Sequence, residues 1–114
     1  RGGSLVIFGG GGQTRDFVYV DDVVEALVAA SDAADVDRRI INVGSGRETS
    51  INQLAALVAE AVGRDVEVLH SPAESGGVAR LCADISAARQ LLGYQPQVDL
   101  SQGLRWTLER DSRF

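Results

Sequence analysis

Ile40 to Val43 is a short apolar run, followed by Gly44-x-Gly46-x-x-Thr49 and then by a helical pattern that opens at Ser50. A strand, a glycine turn and a helix in that order can seat the pyrophosphate of a dinucleotide against the helix N-terminus. Glu67 lies 23 residues beyond Gly44, about where a ribose-binding acid would sit. The third glycine of the pattern, however, is Thr49, whose side chain would push the helix away from the strand. The alternative is a strand-to-helix turn that happens to use glycines.

A second glycine run, Gly9 to Gly12, sits between Phe8 and "QTRDFVYVDD". It also breaks the dinucleotide spacing, with Thr14 at the third position, and a strand pattern rather than a helix follows it. The expectation is a pliable, permissive loop. Arg15 follows at the strand start, where a held guanidinium could offer a fork of donors to a diphosphate. The competing reading is a structural Arg15–Asp16 pair.

The remaining chemistry-bearing residues are isolated. His70 has no partner at metal-ligand spacing. Ser45 has no base in a recognisable motif. Asp21 and Asp22 read as a helix start. Cys82, the single cysteine, reads as a small buried hydrophobe. All 11 basic residues are arginine, so no Schiff base and no Tyr-x-x-x-Lys pair is available to Tyr19 or Tyr94 within these residues. Methionine is also absent, and Arg1 is expected to be an internal or processed start.

Composition narrows the classes further. A 114-residue chain is expected to form a single domain, 1–114, with one modest core. A net charge of −5 with scattered arginines argues against nucleic acid as a partner. The apolar runs are too short to span a bilayer, so no membrane partner is expected. No signal peptide is visible in "RGGSLVIFGG", and the expected location is cytoplasmic.

Periodicity predicts strands over 5–8, 17–20, 40–43 and 66–69, with a short edge strand over 78–83. A helix is predicted from Asp21-Asp22 through "VVEALVAASD", burying a wide face of Val23, Val24, Leu27 and Val28. Ser50 and Gln53 form a capping box for a helix carrying Ile51, Leu54, Val58 and Val62, and Gly63 ends it. Asp84 caps a helix over 85–92, stopped by Gly93 and Pro96. Asp99 and Gln102 repeat the capping box for a last helix to about Glu109. The class is α/β (α+β when isolated), with a small mixed sheet and about four helices.

Taken together, "LVIFGGGGQTRDFVYVDDVVEAL", "INVGSGRETSINQLAALV" and "ADISAARQLLGYQPQVDLSQGLRWTL" resemble the C-terminal third of extended short-chain dehydrogenases/reductases. The similarity is to the NAD-dependent nucleotide-sugar epimerases and dehydratases, and it covers essentially the whole chain. It implies that NAD and the catalytic groups belong to an N-terminal Rossmann domain. This chain alone would then bind no cofactor and be catalytically silent. It also implies an NDP-sugar, UDP- or dTDP-linked, as ligand of the intact enzyme. The backbone of Val6 and Phe8 would pair with the base, and Arg15 would contact the diphosphate. The family's R-x-G-D stands here as Glu74 to Gly77, which puts an acid where a second diphosphate-binding arginine belongs. Arg80, three residues past Gly77, is the candidate substitute. The alternative function is a stand-alone, non-catalytic domain that binds a protein partner or forms a homo-oligomer through exposed sheet edges. A third is a small dinucleotide module on Gly44 and Gly46.

Overall fold

In the computed structural model, which describes residues 3–73 and 77–113, the chain forms four short strands and four helices. In chain order these are β1 (Leu5–Phe8), β2 (Thr14–Arg15), α1 (Val20–Asp32), β3 (Thr49–Ser50), α2 (Ile51–Val62), β4 (Val68–Ser71), α3 (Ser86–Leu92) and α4 (Leu100–Arg110). The mixed α/β class and the number of helices agree with the expectation. Glu74 lies outside the described residues.

Local chemistry sets the helix ends. Ser50 Oγ accepts from Gln53 N at 3.0 Å, and Gln53 Oε1 accepts from Ser50 N at 2.8 Å, which completes the capping box of α2. Gly63 closes that helix at φ 79°, a left-handed conformation that suits glycine. Asp84 Oδ1 accepts from Ser86 N at 3.0 Å, so α3 starts one residue later than expected. Asp99 caps α4 by accepting from Gln102 N at 2.7 Å. The reciprocal half of that box is not made, because Gln102 Oε1 accepts from Arg105 instead.

The strands depart further from the expectation. β1 pairs in parallel with β4, Leu5 opposite Val68, and β2 pairs antiparallel with β3, so the sheet is two separate ribbons. β4 is displaced two residues from the predicted 66–69, its ladder with β1 running from Glu67 O, which accepts from Leu5 N, to Ser71 O, which accepts from Gly9 N. Residues 17–20 and 40–43 are not strands. Phe17, Val18, Ile41 and Val43 are half-buried whereas Val20 and Ile40 are exposed, and no neighbouring strand among the described residues takes up the backbone groups of either run. Residues 78–83 make one bridge, Thr14 to Arg80, rather than an edge strand.

The core is thin. Ala26, Ile85, Ala88 and Tyr94 form its buried centre, with Ile41, Val43, Ala83 and Leu92 packed around them. The predicted burial of the α1 face is corrected: Val24, Leu27 and Val28 are exposed, Leu27 at 65%. Only Asp22 and Ala26 of that helix are buried, and no second layer covers the stripe among the described residues. The radius of gyration, 16.6 Å, exceeds the roughly 13 Å of a compact chain of this length.

Polar junctions therefore hold the elements in place. Buried Asp22 accepts from Gln97 N at 3.0 Å and from Val98 N at 3.1 Å, which docks the α3–α4 connection on the start of α1. Beside it, Arg110 stacks 4.7 Å from the Trp106 ring and pairs with Asp21 at 3.3 Å. Asp22→Ala leaves two N–H groups unpaired and should destabilise by about 2 kcal/mol. Urea unfolding checks this, and a midpoint equal to wild type would refute it.

Candidate functional site

The outer edge of β1 is the first component. Leu5 N and Gly9 N donate to Glu67 and Ser71 carbonyls of the β4 segment. Parallel pairing uses alternate residues, so the N–H and C=O groups of Val6 and Phe8 face the opposite edge. The side chains of both residues are more than half exposed. Two extended residues thus offer donors and acceptors along an unpaired edge, a pattern able to bond a planar heterocycle.

Arg15 is the second component. Its Nη1 donates to Thr14 O at 2.6 Å and to Val78 O at 2.8 Å. Nε and Nη2 have no acceptor among the described residues. Gly77 lies beside this edge at φ 100°, and a Cβ there would stand 3.9 Å from Nη2. The guanidinium is held through Nη1 by two carbonyls, and its Nε and Nη2 keep their donors unspent among the described residues. The Arg15–Asp16 pair is not formed.

Asp16 turns the other way. Its carboxylate accepts from Ser45 N at 2.8 Å, Gly46 N at 2.9 Å, Ala83 N at 3.1 Å and the Ser45 hydroxyl. Burial pushes this carboxyl up, but the hydrogen bonds from Ser45, Ala83 and Gly46 outweigh it and hold the group below its ordinary range. A carboxylate so occupied is a poor base, so Ser45 is not an activated nucleophile. The amides that a dinucleotide phosphate would need at Gly44–Gly46 are spent on Asp16. Gly44 itself is filled, since a Cβ there would lie 2.7 Å from that of Ala83. This turn does not fit a dinucleotide.

The glycine tract is not pliable as expected. Asn52 N donates to Gly11 O at 3.0 Å and Asn52 Nδ2 to Gly10 O at 2.9 Å. Gly11 is buried at φ 76°, and a Cβ there would sit 2.1 Å from Asn52 Oδ1. The Gly10 and Gly11 carbonyls are tied to the first turn of α2, and the tract runs into β2 rather than opening a helix, so it lacks the strand-to-helix geometry of a dinucleotide loop. His70 shares this junction: its Nε2 lies 3.0 Å from Asn52 Oδ1. Among the described residues no group of three metal-ligating side chains exists.

Arg80 is bound to a carboxylate. Its Nε donates to Glu48 Oε1 at 2.8 Å, its Nη2 to Oε2, and Thr14 Oγ1 donates to the same Oε1 at 2.7 Å. The Arg80 guanidinium first, and the Thr14 hydroxyl second, pull the Glu48 carboxyl down to about 2. Cys82 is exposed rather than buried. Desolvation, then the nearby Asp16 and Glu48 carboxylates, push its thiol up, away from reactive thiolate. The structure thus brings Arg15, Gly77 and Arg80 to one end of the β2 ribbon. Val6 and Phe8 lie on the other ribbon, and the glycine tract joins the two. Glu48 and Asn52 had no distinguishing signal in the sequence, because each acts through a partner more than 30 residues or an entire element away.

Glu48 generates a pH prediction. A carboxyl held below its ordinary 4.5 stabilises the fold at neutral pH, and that contribution is lost as pH falls through about 2. The melting-temperature difference between wild type and Glu48→Gln should be constant above pH 4.5 and shrink toward zero near pH 2. A difference independent of pH over that window would refute it.

Residues 2–107 match the model of the family described as GDP-mannose 4,6 dehydratase. The UDP-glucose 4-epimerase of Mycolicibacterium smegmatis is 44% identical over 108 residues, covering 95% of this chain and 34% of that protein. The crystal structure of a Thermotoga maritima UDP-glucose 4-epimerase with UDP-glucose superposes at TM-score 0.86 with 41% identity, over 96% of this chain and 35% of that one. A Bacillus cereus UDP-glucuronic acid 4-epimerase, solved with UDP-glucuronic acid and NAD, gives a TM-score of 0.80 at 36% identity, over 89% and 32%. The chain spans about a third of the length of these relatives. With its three ordered sequence blocks and this shared fold, the chain belongs to the GDP-mannose 4,6-dehydratase family of extended short-chain dehydrogenases/reductases, of which it represents a C-terminal portion.

Proposed function

We propose that this chain is the substrate-positioning portion of a nucleotide-sugar epimerase or dehydratase. It holds the nucleoside diphosphate of a UDP- or dTDP-sugar. The hydride chemistry belongs to NAD, bound by residues outside this chain. Neither glycine run fits that cofactor, and the Tyr-x-x-x-Lys pair that the resemblance assigns to the catalytic domain has no lysine here.

The observation that carries the proposal is Arg15. Two backbone carbonyls fix one guanidinium nitrogen, and Nε and Nη2 have no acceptor among the described residues. A pre-fixed fork loses little entropy on meeting a diphosphate. The Val6 and Phe8 backbone edge then takes the base. Arg80 is the subordinate contact, because its fork already serves Glu48 and a phosphate would have to compete for it. The related T. maritima and B. cereus structures contain UDP-sugars, which supports uridine as the nucleoside.

In the intact protein, Arg15→Ala should weaken UDP binding about ten- to a hundredfold, the worth of a charge-assisted pair. Arg80→Ala should have a smaller effect. Isothermal titration with UDP decides, and wild-type affinity in Arg15→Ala would overturn the role.

The second reading, self-association, has its own observation. Val20, Val24, Leu27 and Val28 form an exposed stripe on α1 beside a groove of about 240 Å³ lined by Val23, Ala26, Ile41 and Leu92. If this face pairs with a second copy, the 114 residues alone sediment as an oligomer, and Leu27→Glu returns them to monomer. A concentration-independent monomer in analytical ultracentrifugation would exclude it.

A further inference from the structure

Asn52 joins three elements through its own atoms. Its backbone N–H and its side-chain amide seize consecutive carbonyls of the glycine tract, Gly11 and Gly10. The orientation of the side chain follows: Nδ2 must face the Gly10 carbonyl, so Oδ1 faces His70 and accepts from Nε2 at 3.0 Å. His70 lies on β4, directly opposite Ile7 of β1. One residue in the first turn of α2 therefore reaches the strand beside β1 and the loop that leaves it.

That loop ends at β2. Gln13 O accepts from Ile51 N at 3.0 Å, Thr14 pairs with Ser50, and Arg15 pairs with Thr49. The start of α2 thus holds the path from Phe8 to Arg15 at both ends. Ser50 and Thr49 hold the Arg15 end, the Gly9 N–H bond to Ser71 O holds the Phe8 end, and Asn52 holds Gly10 and Gly11 between them. Without Asn52, Gly10 and Gly11 would lose their carbonyl partners between the held Gly9 and Gln13, and glycine imposes almost no backbone preference.

We infer that Asn52 is a positioning residue that sets the separation between the Val6–Phe8 edge and the Arg15 guanidinium. This rests on the nucleotide-positioning role proposed above. A rigid spacing makes the second contact of a two-ended ligand intramolecular once the first is made, which raises its affinity above that of either half. Gly11 is glycine because the Asn52 amide occupies the space of a Cβ, not because the loop needs mobility.

The test uses three probes on the intact protein: UDP, uridine and inorganic pyrophosphate, each followed by NMR titration. Asn52→Ala should weaken UDP about tenfold while uridine and pyrophosphate bind within about twofold of wild type, because each half-site survives and only their linkage is lost. Asn52→Asp, which keeps the acceptor for His70 but sets a carboxylate oxygen against the Gly10 carbonyl, should behave like Asn52→Ala. It keeps the test open if Asn52→Ala fails to fold. His70→Gln, which retains a donor for Oδ1, should leave all three affinities near wild type. Equal losses for all three probes would mean general unfolding and overturn the inference, as would an unchanged UDP affinity. If wild type itself binds UDP no better than its two halves, the nucleotide-positioning role fails instead.

Discussion

One carboxylate, that of Asp16, sets the arrangement of everything around it. Its two oxygens collect four donors from two distant segments, Ser45–Gly46 and Ala83, and so tie the residue after β2 to the Gly44 turn and to the approach to α3. Successive side chains of an extended segment point to opposite sides. Drawing Asp16 inward therefore sends Arg15 outward. The same turn could have been an anion nest, since consecutive backbone amides at a glycine are a common phosphate site. Here the protein supplies its own anion, and the guanidinium next door points away from it.

Polar junctions of this kind carry unusual weight because the apolar core is small. Its fully packed centre is two alanines, one isoleucine and one tyrosine, and the Tyr94 hydroxyl is itself committed to Gly44 O at 2.7 Å. Meanwhile Leu27, Val28 and Ile40 face outward. An elongated chain with exposed apolar stripes and with strand-like segments that lack ladder partners is what a third of a larger fold should look like.

What the sequence revealed follows from the range of the forces involved. Helix ends were legible because caps act within three or four residues: Ser50 with Gln53, Gly63 and Gly93 all fall where the residue types put them. The strands were not, since the apolar runs at 17–20 and 40–43 specify burial but not a partner, and pairing is decided by chain elsewhere. The same limit governs the site. The separation of Arg15 from Asp16, the Glu48 brace on Arg80 and the Asn52 clamp are long-range hydrogen bonds with no local signature. Cys82 erred for a related reason: a small apolar residue among apolar neighbours predicts burial only if something packs over it.

Glycine shows the difference between freedom and room. Four in a row read as a flexible connector, yet Gly11 is buried, carries a positive φ and is small because an amide group fills its side-chain space. Gly44 is small for the same kind of reason, with Ala83 and Asp16 pressed against it. At Gly77 a Cβ would only touch Arg15 Nη2, at 3.9 Å, and at Gly10, Gly12, Gly63 and Gly93 it would meet nothing within 4 Å. At Gly11 and Gly44 the glycine is required by what presses against it, and this is a constraint of packing rather than of mobility.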